Sequence, residues 1–134
     1  MNFPTITATY GAVLGIYFVA LSIHVVIVRA REDIHHGDGG SEALNRAIRS
    51  HGNFAEYVPI ALLLIAWVES GGASERALHL LLAPLLVARL MHPVGMRQPV
   101  ASKRQYAWRA TSVTITWIVI VAASVVLLRA TFGR

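Results

Sequence analysis

The chain has 134 residues, of which 55% are hydrophobic and only 14% are charged, and its mean hydropathy is +0.56. This composition is much more apolar than that of a soluble domain and is typical of an integral membrane protein. The net charge of +5 comes from arginines scattered between apolar blocks, so nucleic-acid binding is not expected. Because the chain has no cysteine, any thiol chemistry requires a thiol from outside it.

Four segments are predicted to be membrane-spanning helices. Residues 5–28 form an uncharged run longer than the roughly 20 residues that a helix needs to cross the hydrocarbon core. Residues 48–68 and 76–96 are apolar with polar side chains near one end, and residues 108–129 form the last span. The sequence therefore predicts one domain over residues 1–134, with an all-α membrane fold of four transmembrane helices.

The distribution of basic residues predicts the orientation of these helices. The first and third loops contain more arginine and lysine than the second loop and the C-terminal tail. The positive-inside rule then places loops one and three in the cytoplasm and both termini outside. The stretch HHGDGG at residues 35–40 is interpreted as a solvated loop, and no metal site is expected.

Polar side chains open the second predicted helix in a regular pattern. Arg49, Asn53 and Glu56 are spaced i, i+4, i+7, which places them on one face. Ionisable groups inside a bilayer cost about 3 kcal/mol each on insertion scales, so we expect them to face partners within the bundle. If the second and third helices are antiparallel across the predicted turn, Glu56 is level with Arg89 and Asn53 with His92.

This polar face has two interpretations. A Glu56–Arg89 ion pair could fix the register of two helices without any chemical role. Arg49 and Asn53, at the predicted cytoplasmic end, instead favour a cationic pocket at the membrane edge, because a guanidinium binds carboxylates through two hydrogen bonds and stays charged when partly desolvated. The arginines expected on neighbouring helix ends are Arg29, Arg31 and Arg109.

The segment RSHGNFAEYVP at residues 49–59 resembles the signature of the MAPEG family, the membrane-associated proteins in eicosanoid and glutathione metabolism. The segments VRARED, ARLMHPVG and WRATSVTITW extend the resemblance over nearly the whole chain, and they are most similar to the bacterial YecN-like branch. The resemblance implies a homotrimer in the bacterial inner membrane. It also implies glutathione as co-substrate, held between neighbouring protomers near the cytoplasmic side.

The same resemblance implies roles for single residues. Arg109 is the candidate for stabilising the glutathione thiolate, with Arg104 as the alternative, and a hydroxyl of Ser112 or Thr111 would assist. Met96 stands where eukaryotic members often have a tyrosine, so the expected pocket lacks one hydroxyl. The residues expected to bind glutathione are Arg29, Arg31, Arg49, Asn53, Glu56, Tyr57, Arg89 and His92.

The function that these residues predict is that of a glutathione transferase or peroxidase for lipophilic electrophiles or hydroperoxides. A nearby guanidinium lowers the pKa of a thiol, ordinarily about 8.5, and only the thiolate is a good nucleophile. Two alternatives stay open: a membrane protein that binds lipid or glutathione without catalysis, and a small membrane subunit of a larger complex. The GAVLG segment at residues 11–15 is a GxxxG pattern, which favours helix packing.

Overall fold

The computed structural model describes residues 3–99 and 101–133, which form four α-helices and no β-strand. All four helices are long and apolar enough to cross a membrane. This confirms the predicted all-α fold with four membrane-spanning helices. Consecutive helices are antiparallel, and their bounds are α1 (Thr5–Arg31), α2 (Glu42–Ser70), α3 (Glu75–Met96) and α4 (Lys103–Phe132).

Two helices begin earlier than the sequence predicts. α2 starts at Glu42 instead of residue 48, and α4 starts at Lys103 instead of residue 108. The prediction followed hydropathy, which marks only the part of a helix that lies in hydrocarbon. A serine side chain before each helix, Ser41 and Ser102, accepts a hydrogen bond of 3.0 Å from a backbone N–H three residues further on. Such caps contribute about 1 kcal/mol each and extend both helices into their polar segments.

The helices pack around α2 and α3. Both α1 and α4 contact these two helices, whereas α1 makes no contact with α4 within the part of the chain that the structure describes. The core is filled from every helix, for example by the fully buried Leu14, Ile65, Leu82 and Ala123. Many outer side chains are large, apolar and exposed, such as Ile16 at 75%. This outward surface suits lipid, whose chains are as apolar as the side chains themselves.

One end of the bundle, which we call the turn end, holds the start of α1 and the α2–α3 turn. There, the carboxylate of Glu69 accepts hydrogen bonds of 2.8 Å from the backbone N–H groups of Ile6 and Thr7, and one of 2.6 Å from the Thr7 hydroxyl. The first N–H groups of a helix have no partner within it, and the positive end of its dipole favours an anion. Glu69 therefore caps α1 and fastens it to α2.

The opposite end, which we call the arginine end, holds the end of α1, the start of α2, the end of α3 and the start of α4. Gly95 lets α3 and α4 approach closely there, because a Cβ at this position would lie 2.9 Å from Cβ of Trp108 and 3.2 Å from the backbone nitrogen of Arg109. Its basic residues are Arg29, Arg31, Arg46, Arg49, Arg97, Lys103, Arg104 and Arg109.

Candidate functional site

A cleft of about 380 Å³ lies between α2, α3 and α4 at the arginine end. We call it the polar cleft, and its volume falls within the range of about 300–1,000 Å³ that is usual for small-molecule sites. Its polar side chains come from three helices: Arg49 and Asn53 from α2, His92 from α3, and Tyr106 and Arg109 from α4. The apolar residues that complete the lining are Met96, Ala110 and Val113.

The polar cleft carries positive charge that the chain does not neutralise. None of the described residues that line it is acidic. The guanidinium groups of Arg49 and Arg109 make neither a hydrogen bond nor an ion pair with any described residue. The cleft is therefore suited to a carboxylate, a phosphate or a thiolate.

Behind Asn53, the buried side chain of Arg89 joins three helices. It is 1% exposed, and its Nη1 donates to Oδ1 of Asn53 at 2.8 Å. Its Nη2 donates to the carbonyl oxygen of Ser112 at 3.1 Å and to the hydroxyl oxygen of Thr116. Because the side-chain oxygen of Asn53 accepts from Arg89, the amide nitrogen of Asn53 keeps both of its donors. Arg89 thus orients Asn53 at the wall of the polar cleft.

The expected ion pair between Glu56 and Arg89 is not formed. Glu56 is exposed and forms no salt bridge with any residue that the structure describes, while Arg89 donates to Asn53. The reason is the rotation of α2, which advances by about 100° per residue. Phe54 lies on the buried face of α2. Asn53, one residue before it, is rotated by about 100° and lies at the edge of that face. Glu56, two residues after it, is rotated by about 200° and lies on the opposite side.

Several residues predicted from the sequence lie outside the polar cleft of their own chain. Arg29 donates from Nη1 to the carbonyl oxygens of Ile34 at 3.2 Å and Gly37 at 2.9 Å, so it orders the first loop. Ser112 is fully buried, and its hydroxyl donates to the carbonyl oxygen of Arg109 at 2.9 Å. The other predicted residues outside the cleft lining are Arg31, Glu56, Tyr57, Arg89 and Arg104.

Tyr106 lines the polar cleft although it is not among the residues predicted from the sequence. The predicted start of the fourth helix at residue 108 left it in a loop. In the structure it is helical, 77% exposed, and spaced i, i+3 from Arg109, so both lie on one face of α4. The segment SKRQ at residues 102–105 has the S-x-x-Q pattern of a capping box, which predicts this earlier helix start.

Comparisons with known proteins cover most of the chain. A family model described as "MAPEG family" matches residues 7–128. Two Escherichia coli proteins, from strain K12 and from strain O6:H1 CFT073, are each named "Inner membrane protein YecN". Each is 35% identical to the chain over 112 residues, which are 84% of this chain and 82% of the relative. No solved structure gives a significant match.

Proposed function

Because the chain belongs to the MAPEG family, we propose that this membrane protein binds glutathione and acts as a glutathione transferase or peroxidase on lipophilic substrates. The observation that carries the proposal is the polar cleft. Two guanidinium groups without a partner among the described residues and an oriented asparagine face a space that no described acidic residue lines. Glutathione presents two carboxylates and a thiol that must ionise. A cationic cleft is the surrounding that favours all three negative charges.

The proposed roles follow from the positions of the side chains. Arg49 and the amide of Asn53 bind the carboxylates. Arg109 stabilises the thiolate, because a neighbouring positive charge favours the ionised form of a thiol. The hydroxyl of Tyr106, spaced i, i+3 from Arg109, supplies the hydrogen-bond donor that Met96 lacks. His92 contributes a further ring nitrogen at the wall of the cleft.

We further propose that the protein is a homotrimer and that a neighbouring protomer completes the site. Within one chain, α1 does not contact α4 among the described residues, and neither Arg29 nor Arg31 lines the polar cleft with Arg109. A neighbour whose α1 covers the open side of the polar cleft would bring these arginines to the bound glutathione. Glu56 and Tyr57, which lie outside the cleft of their own chain, would bind the tripeptide at the same interface.

The reaction begins when a lipophilic substrate enters from the bilayer. The thiolate attacks an electrophilic carbon, forms a carbon–sulfur bond, and releases the leaving group or opens the ring. With a hydroperoxide, it attacks the outer oxygen and gives a lipid alcohol and glutathione sulfenic acid, which a second glutathione converts to the disulfide and water. The cleft contributes orientation and thiolate stabilisation. The excess of basic residues supports placing the arginine end in the cytoplasm of the inner membrane, with both termini outside.

The test is a titration of the purified, detergent-solubilised protein with glutathione, followed by ultraviolet absorbance of the thiolate. We expect a thiolate signal from the wild type and its loss in Arg109→Ala. Arg104→Ala is the matched control, because Arg104 is exposed on the same helix but lies outside the polar cleft. Retained absorbance and turnover in Arg109→Ala would contradict the proposed role. Loss in Arg104→Ala alone would transfer that role to Arg104.

A second candidate function is glutathione binding without catalysis. The burial of Ser112 favours it, since its hydroxyl is engaged with the carbonyl of Arg109 and does not reach the polar cleft. Calorimetric titration separates the two candidates. Heat of binding without thiolate absorbance or turnover would assign a binding protein, whereas the absence of binding would contradict both.

A further inference from the structure

A second cleft, of about 440 Å³, lies on another side of α2, between α1, the first turns of α2 and the end of α3. It shares only Met96 with the polar cleft among the described residues. We propose that this second cleft binds the headgroup of an anionic phospholipid from the surrounding membrane. The proposal does not depend on glutathione chemistry.

Two arginines, Arg46 and Arg97, line the second cleft. Arg46 on α2 is ion-paired with Glu42, yet its Nε is buried and has no hydrogen-bond partner among the described residues. Arg97, directly after α3, is exposed, and its guanidinium makes no hydrogen bond or ion pair with the described residues. No acidic side chain is among the described residues of the lining. A phosphodiester has one negative charge and oxygen acceptors that both side chains can bind.

The rest of the second cleft is suited to a lipid. Leu21 and Val28 on α1 and Val94 on α3 form apolar walls that continue from the arginines toward the middle of the bundle. Val94 is 43% exposed, and Ala20 is exposed too, so the cleft opens onto the outer apolar surface. The acyl chains of a lipid can extend from the headgroup along this surface and contact the apolar walls. A soluble phosphate has no apolar part to contact them.

This combination of positive charge and apolar walls favours an anionic phospholipid over a soluble anion. Basic pockets between transmembrane helices at a membrane surface bind anionic headgroups, and each arginine near the surface contributes to that attraction. Tyr17 and Ser50 also line the cleft, and their hydroxyl groups make no hydrogen bond with the described residues. They are donors for the ester oxygens that follow the phosphate in a phospholipid.

The test uses the full chain in a neutral detergent, titrated with phosphatidylglycerol or with phosphatidylcholine carrying the same acyl chains. Native mass spectrometry counts the bound lipid. We expect phosphatidylglycerol to bind at least about tenfold more tightly, since two arginines distinguish the headgroups. The double variant Arg46→Gln/Arg97→Gln should lose this preference. Lys103→Gln, which removes a charge from the same end but outside the second cleft, should keep it.

A second variant keeps the proposal testable if the double variant does not fold. Ala20→Trp fills the apolar part of the cleft without any change of charge and should also reduce phosphatidylglycerol binding by about tenfold or more. Equal binding of the two lipids, or a preference that persists in the folded double variant, would overturn the proposal. Displacement of the lipid by inorganic phosphate at equal concentration would do so too, because it would indicate a site for simple anions.

Discussion

The two ends of the bundle differ in whether the polar and charged side chains that they present have partners. At the turn end, Glu69 accepts three hydrogen bonds from the first turn of α1, and the hydroxyl of Tyr10 lies 3.0 Å from Nδ1 of His79. At the arginine end, Arg49 and Arg109 lack partners among the described residues. Both side chains are exposed at the polar cleft, so their guanidinium groups are accessible to an anionic ligand. The turn end therefore holds the fold together, whereas the arginine end is the one where we propose that a ligand binds.

The largest effect is expected for Arg89→Met, which tests whether the buried arginine contributes both to stability and to ligand binding. The change leaves the side-chain oxygen of Asn53 and the hydroxyl of Thr116 without this donor. We expect the free energy of unfolding to fall by about 1–3 kcal/mol for each group left unsatisfied, measured by denaturant titration in mixed micelles. Glutathione affinity should fall as well, because Asn53 is no longer oriented.

Arg76→Met is the matched control for Arg89→Met, since Arg76 is exposed at the turn end. Its free energy of unfolding should change by less than about 0.5 kcal/mol. Unchanged or increased stability in Arg89→Met would contradict the prediction. It would mean that removing the guanidinium from the bundle interior relieves a desolvation cost larger than its hydrogen bonds contribute.

The next effect concerns the contact of α3 with α4 beside the polar cleft. In Gly95→Ala, the added methyl group would lie 2.9 Å from Cβ of Trp108, so the two helices must separate. We expect a loss of about 1–3 kcal/mol of stability and a weaker thiolate signal, because Arg109 is displaced. Gly15→Ala adds a methyl group that, apart from its chain neighbours and the backbone of its own helix, lies within 4 Å of no atom of the described residues. It should stabilise α1 by about 0.5–1 kcal/mol, and equal behaviour of the two variants would contradict the close approach.

A smaller effect is expected at the turn end. In Glu69→Gln, one acceptor oxygen becomes an amide nitrogen, so the hydrogen bonds to Thr7 are lost or rearranged. Since hydrogen bonds to charged groups contribute about 1.5–3 kcal/mol, we expect a loss of about 1–2 kcal/mol and unchanged glutathione binding. The exposed Glu75→Gln is the control, with little change in either quantity. A fall in glutathione affinity in Glu69→Gln would contradict the inference that the turn end stabilises the fold without affecting binding at the arginine end.

The smallest effect is expected in the first loop. Asp38 accepts hydrogen bonds from the Asn45 amide at 2.6 Å and from the backbone N–H of Gly40 at 3.1 Å, which lower the pKa of its carboxyl below the ordinary 3.8. A lowered pKa means that these hydrogen bonds stabilise the loop above the ordinary value and are lost as the pH falls through the lowered one. The carboxyl ¹³C shift should report this titration, and Asn45→Ala should raise the pKa of Asp38. No change in that variant would contradict the assigned cause.

The sequence predicts the helices better than the contacts between them. Hydropathy locates all four spans, because the apolar length needed to cross a bilayer is a property of the segment alone. Arg49, Asn53, His92 and Arg109, chosen from spacing and resemblance, lie together in the polar cleft. These residues lie together because each is at the same end of its helix, and the position of a residue along its helix can be read from the sequence.

The partner of Arg89 could not be predicted in the same way. A level pairing across an antiparallel turn fixes the height of a residue, but not the rotation of its helix or the reach of a long side chain. The rotation of α2 turns Glu56 away, and the flexible arginine reaches Asn53 and α4 instead. The close approach at Gly95 likewise depends on the path of both backbones. Tyr106 was predictable from its local capping pattern.

The buried arginine also has a consequence for how the chain is made. Arg89 is synthesised before Ser112 and Thr116, two of the residues whose oxygens accept its hydrogen bonds. While α3 is the newest helix, its guanidinium has only Asn53 to bind, and a charge without enough partners is costly in hydrocarbon. α3 should therefore enter the bilayer stably only together with α4. The ribosome must therefore translate Thr116 before the hairpin of α3 and α4 is stably inserted in the membrane.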